Sequence, residues 1–244
     1  MRCLISTIIR NREPHIACWS AQLQRLVTCN PDMTFDLVVL ENDSVDGTKE
    51  ILEQEISLLE TVFNDVICKS VDYGWPYFGS IKAEERVKYL AKARNETLEL
   101  ADLKNKLSTY DKIVCIEPDI VYDPALVRIL FDTSYDVASG YSVLPIGMGV
   151  PDWIYDSWAT RMDTEDSEYT GPKVSKLPSR LNLASTFNCF CVYNAEPIAD
   201  GVRFSEINPL NGKWDCDTTT ICFEFLQRGY DRIYMCRIPI LHKP

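Results

Sequence analysis

The chain has 244 residues, with 25 Lys+Arg against 36 Asp+Glu and a formal net charge of −11. Hydrophobic content of 46% and charged content of 25% are ordinary for a folded globular protein, which excludes disorder, collagen and coiled coil as overall descriptions. No run of about 18 apolar residues exists, so no membrane span is expected, and the acidic balance argues against a nucleic-acid backbone as the main partner.

Residues 3–9 read as a first β-strand, and the apolar run before Arg10 is too short for a signal peptide. Glu13-Pro14 opens a helix with Ile16, Trp19, Leu23, Leu26 and Val27 at helical spacing. Residues 35–40 form a buried strand that ends in the polar turn Glu41-Asn42-Asp43-Ser44-Val45-Asp46-Gly47-Thr48. A helix follows, with Ile51, Leu52, Leu58, Leu59, Val62 and Phe63 on one face, and then a short strand at 66–68. Residues 74–80 are an aromatic-rich loop, 82–101 a helix and 112–117 a strand interrupted by Pro118-Asp119. This alternation predicts an α/β fold with a doubly wound, parallel sheet.

The second half is less regular. A strand is expected at 136–141, a Gly/Pro loop at 145–151, an aromatic and helical stretch at 152–162 and a mobile surface loop at 163–179. Residues 187–193 read as a strand. Asp215 or Asp217 caps a helix that carries Ile221, Cys222, Phe225 and Leu226 and ends at Gly229; residues 232–241 form a last strand. The expected organisation is one catalytic domain over 1–244, with 1–123 binding nucleotide and 124–244 binding acceptor.

Most of the ten cysteines lie in apolar runs, where Cys behaves as a small hydrophobe. With no CxxC and only two histidines, zinc sites of common spacing are not expected. Cys189 and Cys191 alternate on one strand face, which favours packing over ligation. Reduced thiols are the leading reading; a disulfide such as Cys216 with Cys222 is the alternative.

The chemistry-bearing residues gather at strand ends, where open α/β sheets place ligands. Glu41 and Asp43 could hydrogen-bond a ribose or base edge, with Arg10 beside them; a plain turn and cap is the other reading. Arg94 interrupts the apolar stripe Val87, Leu90, Ala91, Leu98 and Ala101, so it must be paired or reach a ligand. It would contact a diphosphate or hold a metal-binding acid. Glu117 and Asp119, with Asp123 nearby, offer hard oxygen ligands suited to Mn²⁺ or Mg²⁺. A protein of this charge needs a cation to hold an anionic diphosphate. His242 is a further ligand if the last strand ends beside Asp119, whereas His15 is structural. Of Asp215 and Asp217, one suffices as a cap and the other could orient an acceptor hydroxyl or act as a base.

In this order the motifs resemble a GT-A glycosyltransferase, with a Rossmann-like, mostly parallel sheet and a mixed acceptor-side half. More narrowly, the chain resembles the cryptococcal α-1,3-mannosyltransferase family of capsule synthesis. The resemblance is carried by residues 90–95 (LAKARN), Glu117-Pro118-Asp119, 155–161 (YDSWATR), Phe187-Asn188-Cys189, 194–197 (NAEP), Arg203-Phe204 and 216–222. Glu stands where the DxD motif begins, Pro fills its middle, and Cys189 stands where Gly follows Asn188. The resemblance implies a retaining hexosyltransferase with a GDP- or UDP-linked sugar donor, a glycan acceptor and Mn²⁺. With the residues read above, this gives expected donor binding by Arg10, Glu41, Asp43, Arg94 and Glu117, metal binding by Asp119, His242 and Glu117, acceptor binding by Trp153, Trp158 and Asn188, and catalysis by Asp217 and Asp215. Two other readings are a sugar-nucleotide nucleotidyltransferase and a non-enzymatic carbohydrate-binding module using Trp75, Tyr77, Phe78, Trp153, Tyr155 and Trp158. A cytoplasmic location is expected (host cytoplasm if viral), or the Golgi lumen if the chain is a trimmed catalytic domain.

Overall fold

The structure is a computed structural model that describes residues 1–145 and 152–243. In chain order the elements are β1 (Arg2–Ile9), α1 (Ile16–Cys29), β2 (Thr34–Asn42), α2 (Thr48–Leu59), β3 (Asp65–Val71), α3 (Glu84–Asn105), β4 (Lys112–Ile116) and β5 (Ile120–Val121). They continue with β6 (Val137–Val143), β7 (Arg180–Asn182), β8 (Phe190–Asn194), α4 (Ala195–Ala199), α5 (Asp217–Gln227) and β9 (Ile233–His242). A 3-10 turn, Glu13–His15, leads into α1, with Pro14 where a missing N–H costs nothing.

One sheet runs in the order β3-β2-β1-β4-β8-β6-β9-β5, with β7 also paired to β9. The strands β3, β2, β1 and β4 are mutually parallel. The strand β8 is antiparallel to both β4 and β6, and β6 is parallel to β9. So β1 to β4, β6 and β9 all point one way, and β8 alone among the long strands points back. The alternation of strand and helix foretold the parallel half. It carried no sign of β8 entering the middle of the sheet reversed.

Side chains alternate across the sheet with period two. Cys3, Ile5, Phe35, Leu37, Val39, Val114 and Ile116 pack on the side of α1 and α2. Leu4, Val38, Ile113 and Cys115 pack on the side of α3 and α5. Both faces are covered, which is why these strands read as continuous apolar runs. All ten cysteines are free thiols, Cys216 and Cys222 among them.

Three sequence expectations change. Residues 152–162 form turns, not a helix, and Arg161 bridges Ser185 instead. Polar side chains and turns there satisfy backbone groups that a helix would use: Tyr155 N–H donates to Ser142 O and Asp156 N–H to Ser142 Oγ. The 163–179 loop is anchored rather than loose, with Leu177 buried, Tyr169 N–H donating to Ser157 O, and Asp152 accepting from Ser175. Neither Asp215 nor Asp217 caps α5; the N-cap position is Cys216, without a side-chain cap. The Gly/Pro loop falls largely outside the described residues.

At the opposite end of the sheet from the strand C-termini, Asp36 is 2% exposed. It accepts from Arg2 Nε at 3.1 Å, Asn64 Nδ2 at 2.7 Å and the Tyr110 hydroxyl at 2.8 Å. Arg2 Nη2 donates to it as well, at 2.5 Å, so Asp36→Ala removes the acceptor of four hydrogen bonds from three side chains, and the expected loss is about 3 kcal/mol in urea unfolding. A loss below about 1 kcal/mol would show that water replaces the carboxylate.

Candidate active site

The parallel strands bring their C-terminal ends to one edge, and the reversed β8 brings its N-terminal end there. Glu117 follows β4 and its N–H donates to Cys189 O at 2.9 Å, just before β8. The short β5 then pairs Ile120 with His242 at the end of β9, while Lys243 N–H donates to Asp119 O at 2.6 Å. Glu117, Asp119, Cys189 and His242 therefore converge although up to 125 residues separate them (242 − 117 = 125).

Asp119 and His242 are both largely buried, and His242 Nε2 lies 3.5 Å from Asp119 Oδ2. The same oxygen receives Arg12 Nε at 3.0 Å. Burial works to raise the Asp119 pKa, but His242 and Arg12 outweigh it and hold the carboxyl below the ordinary range. Asp119 Oδ1 and His242 Nδ1 are buried with no hydrogen-bond partner. Single donor atoms of Glu117, Cys189 and His242 lie within 4.8 Å of one another. Tyr155 stacks on the His242 ring at 4.2 Å. Two carboxylates, an imidazole and unpartnered buried atoms are a donor set that fits a divalent cation.

Beside this cluster opens a cleft lined by Arg10, Arg12, Asn42, residues 75–80, Arg86, Tyr89, Leu90 and 117–119. One wall is an aromatic ladder. Tyr73 stacks on Trp75 at 4.4 Å, Trp75 meets Tyr89 at 4.9 Å, and Phe78 meets Tyr89 at 5.9 Å. Arg10 fastens this loop by donating to the Trp75 and Pro76 carbonyls at 2.7 and 3.0 Å, and its guanidinium lies over Tyr77. Arg86 Nε donates to Gly79 O at 2.8 Å.

Arg10 thus faces the cleft, but Glu41, Asp43 and Arg94 do not line it. Glu41 is fully buried; it accepts from Ser44 N–H at 3.0 Å and from the Ser70 hydroxyl. Asp43, at φ 54°, accepts from Gly74 N–H at 2.7 Å and from Asn42 Nδ2 at 2.9 Å. Burial opposes its charge, and these donors more than offset that, leaving its pKa lowered. The two acids build the turn and tie it to the aromatic loop. Asn42 between them is the residue that faces the cleft.

Arg94 lies on α3 behind the cleft, 5% exposed. It bridges Asp217 Oδ2 at 2.9 Å and Glu117 Oε1 at 3.1 Å, sandwiched near the rings of Phe187 and Phe204. Asp217, 2% exposed and held by Arg94, has no face toward an acceptor hydroxyl. Asp215 pairs with Arg161 at 2.8 Å and accepts from Asn208 Nδ2 at 3.2 Å. Both acids position arginines. Asn188 is fully buried: its Oδ1 accepts from Ser142 N–H and Oγ, and its Nδ2 donates to Thr160 and Thr186. It shapes the strand entry and lines no acceptor surface. Trp153 is 62% exposed, and Trp158, partly buried, meets Trp214 edge-on at 6.2 Å.

Sequence reasoning gave Arg12 and Asp156 no role, named Tyr155 only as a ring for sugar stacking, and assigned Cys189 to packing. The pairing of Cys189 with Cys191 on one face fails because Asn188 and Cys189 take φ 52° and 62°. Alternation requires extended backbone at both residues, and the two thiols fall on opposite sides of the sheet. Asp156 accepts from Asn188 N–H at 2.9 Å. Burial and the nearby Glu117 charge push its carboxyl up to about 6. No local pattern announced it.

A family model described as cryptococcal mannosyltransferase 1 matches residues 2–223. The chain belongs to the cryptococcal mannosyltransferase 1 family. Among solved structures, the likenesses to this family member are at the level of fold. Staphylococcus aureus TarS 1–349 in complex with UDP-GlcNAc has a TM-score of 0.57 at 16% identity, over 100% of this chain and 59% of that one. The Pyrobaculum calidifontis mannosyltransferase PcManGT, in complex with GDP-Man and Mn²⁺, gives 0.57 at 11% identity, over 99% and 56%. GalNAc-T7 with UDP, GalNAc and Mn²⁺ gives 0.58 at 13% identity, over 100% and 44%. The architecture is therefore that of GT-A glycosyltransferases, and this family member spans about half the length of those chains. No curated protein matches it by sequence. No described helix is long and apolar enough to cross a membrane.

Two measurements check this geometry. Arg94→Met leaves Glu117 and buried Asp217 without their cation, and thermal or urea unfolding should show a loss of about 3–5 kcal/mol. Arg94→Lys should recover only part of it, since one ammonium cannot serve both carboxylates as a guanidinium fork does. For Asp156 the folded pKa lies above the unfolded value. Its contribution to stability is therefore full at low pH and lost as pH rises from about 4 to 6. With chelator present, Asp156→Asn should be more stable than the parent above pH 6 by about 2 kcal/mol, with the gap closing near pH 4. A gap independent of pH would contradict the assignment.

Proposed function

We propose that the chain is a nucleotide-sugar-dependent hexosyltransferase that transfers mannose or a related hexose from a GDP- or UDP-linked donor to a glycan or other hydroxyl acceptor. The observation that carries this reading is the meeting of Glu117, Asp119 and His242, with two orphaned buried atoms, at the mouth of an arginine- and aromatic-lined cleft. Membership of a mannosyltransferase family supports the sugar, and the Mn²⁺ and nucleotide-sugar complexes of the fold neighbours support the donor class. Residues 1–123 would hold the donor and 124–244 the acceptor.

Glu117, Asp119 and His242 would hold Mn²⁺, or Mg²⁺ in its place. A bound divalent ion supplies positive charge to the diphosphate and stabilises it as a leaving group. The protein's own part is orientation and electrostatics. The aromatic ladder offers flat faces to a base or sugar ring. Arg10, Arg12 and Arg86 bring positive charge to a cleft in an otherwise acidic protein. Arg94 holds Glu117 in place from behind and fixes it against α5. Exposed Trp153 and partly buried Trp158 would serve the acceptor, since aromatic rings stack on sugars. Transfer with retention of anomeric configuration is the reading that goes with the family.

The test is nucleoside diphosphate release from GDP- and UDP-hexoses in Mn²⁺, with and without chelator. Asp119→Ala should cut release by about 100-fold or more while remaining folded, as circular dichroism checks. It loses a carboxylate that His242 and Arg12 favour, so some stability goes with it, and the 35%-exposed Arg12 turns to water. His242→Ala should weaken Mn²⁺ binding less than Asp119→Ala does, because a neutral ligand is lost rather than a charged one. Full activity of Asp119→Ala, or of the parent in excess chelator, would leave a metal-independent transferase that relies on the arginines.

A further inference from the structure

We propose that Cys189 is a ligand of the cation site, so that the site takes thiophilic divalent ions such as Zn²⁺, Co²⁺ or Cd²⁺ in preference to Mg²⁺. This rests on the metal-site reading above and adds a sulfur donor that the acidic motif does not contain.

Three donors from three parts of the fold meet within 4.8 Å of one another: a Glu117 carboxylate oxygen, the Cys189 sulfur and a His242 ring nitrogen. Their positions are set by backbone hydrogen bonding. Glu117 N–H bonds the Cys189 carbonyl across β4 and β8, and β9 ends at His242 opposite β5. The thiol occupies its place through an unusual turn. Asn188 and Cys189 are consecutive non-glycine residues at positive φ, a conformation in which side chains are uncommon. Asn188 locks that turn through its fully buried amide: Oδ1 accepts from Ser142 N–H and Oγ, and Nδ2 donates to Thr160 and Thr186. A second observation points to a ligand independently of the thiol. Asp119 Oδ1 and His242 Nδ1 belong to side chains only 4% and 9% exposed, and both atoms lack a protein partner. Buried polar atoms without partners are costly, and a cation offers a way to satisfy them.

An all-oxygen set with one imidazole suits Mg²⁺ and Mn²⁺. Replacing one oxygen donor by thiolate moves preference toward Zn²⁺, Co²⁺ and Cd²⁺. On binding, the Cys189 S–H proton leaves to solvent and the sulfur lone pair bonds the ion, so charge and atoms balance.

The test uses Co²⁺, Cd²⁺ and Zn²⁺ as probes on the intact chain. One equivalent of Co²⁺ should give a sulfur-to-metal charge-transfer band in the near ultraviolet in the parent and none in Cys189→Ser. Exposed Cys18, Cys29 and Cys68 are the same in both proteins and cancel in the comparison. The Cd²⁺ dissociation constant should rise about tenfold or more in Cys189→Ser, with Mg²⁺ binding changed less than about twofold. If that variant does not fold, X-ray absorption of the parent loaded with one equivalent of Zn²⁺ gives the same answer. A sulfur neighbour at about 2.3 Å supports the proposal, and a shell of nitrogen and oxygen alone overturns it. Manganese paramagnetic resonance separates the two readings. Mn²⁺ bound by the parent and lost in Asp119→Asn, with no sulfur seen by the other probes, sinks the Cys189 ligand and leaves the metal site standing. No divalent ion bound by the parent sinks both.

Discussion

Arg94 is the charge around which the site is assembled. Its guanidinium, buried on α3, reaches the end of β4 through Glu117 and the start of α5 through Asp217. A cation taken from water needs compensation, and two carboxylates from distant segments provide it. The consequence is geometric. The end of β4 cannot move relative to α5 without leaving a buried charge unpaired. Burial opposes the charged form, yet the two acids hold the guanidinium firmly protonated. The helix accordingly has an interrupted apolar stripe, where Leu or Ala would pack well but hold nothing in place.

A second layer of the same logic extends outward. Arg161 on Asp215, Arg12 on Asp119 and Arg10 on the Trp75 and Pro76 carbonyls each tie a loop to the sheet edge. The acidic turn after β2 acts likewise: Glu41 and Asp43 accept from Ser44, Ser70, Gly74 and the Asn42 side chain. Some polar groups of the cleft both hold its walls and face it, and others only hold them. Arg10, Arg12, Asn42, Arg86, Glu117 and Asp119 line it, while Glu41, Asp43 and Arg94 stand behind. A cleft with fixed walls presents its charge without reorganisation at the moment of transfer, which is where electrostatic catalysis gains most.

Much of the architecture was legible in the chain. The strands at 3–9, 35–40 and 112–117 are continuous apolar runs because helices cover both faces of the sheet. The place of His242 was legible only conditionally, since a terminal histidine has meaning only once the last strand is placed. Arg94 stood out because a charge inside an apolar stripe breaks a pattern. Glu41, Asp43, Asp215 and Asp217 carried the right chemistry for ligand contact, but acids at turns serve structure and ligand with the same side chain. Only their hydrogen-bond partners separate the two uses. The helix expected over 152–162 failed because Ser142 and Ser185 offer that backbone non-local acceptors, for Tyr155, Asp156 and Arg161 N–H, which override local preference.

By itself the sequence determined the alternating elements, the apolar strands and the residue types that can hold a diphosphate and a cation. These depend on local periodicity and on chemistry that each residue carries wherever it stands. Tertiary structure decided which of those residues meet. The reversed direction of β8 brought Cys189 to the edge where Glu117 ends β4, and the pairing of β5 with β9 set Asp119 against His242. Two left-handed residues, Asn188 and Cys189, then turned a thiol out of the expected strand alternation and toward the carboxylates. Strand direction and backbone sign are settled by contacts between segments far apart in the chain. No local spacing of residues encodes them.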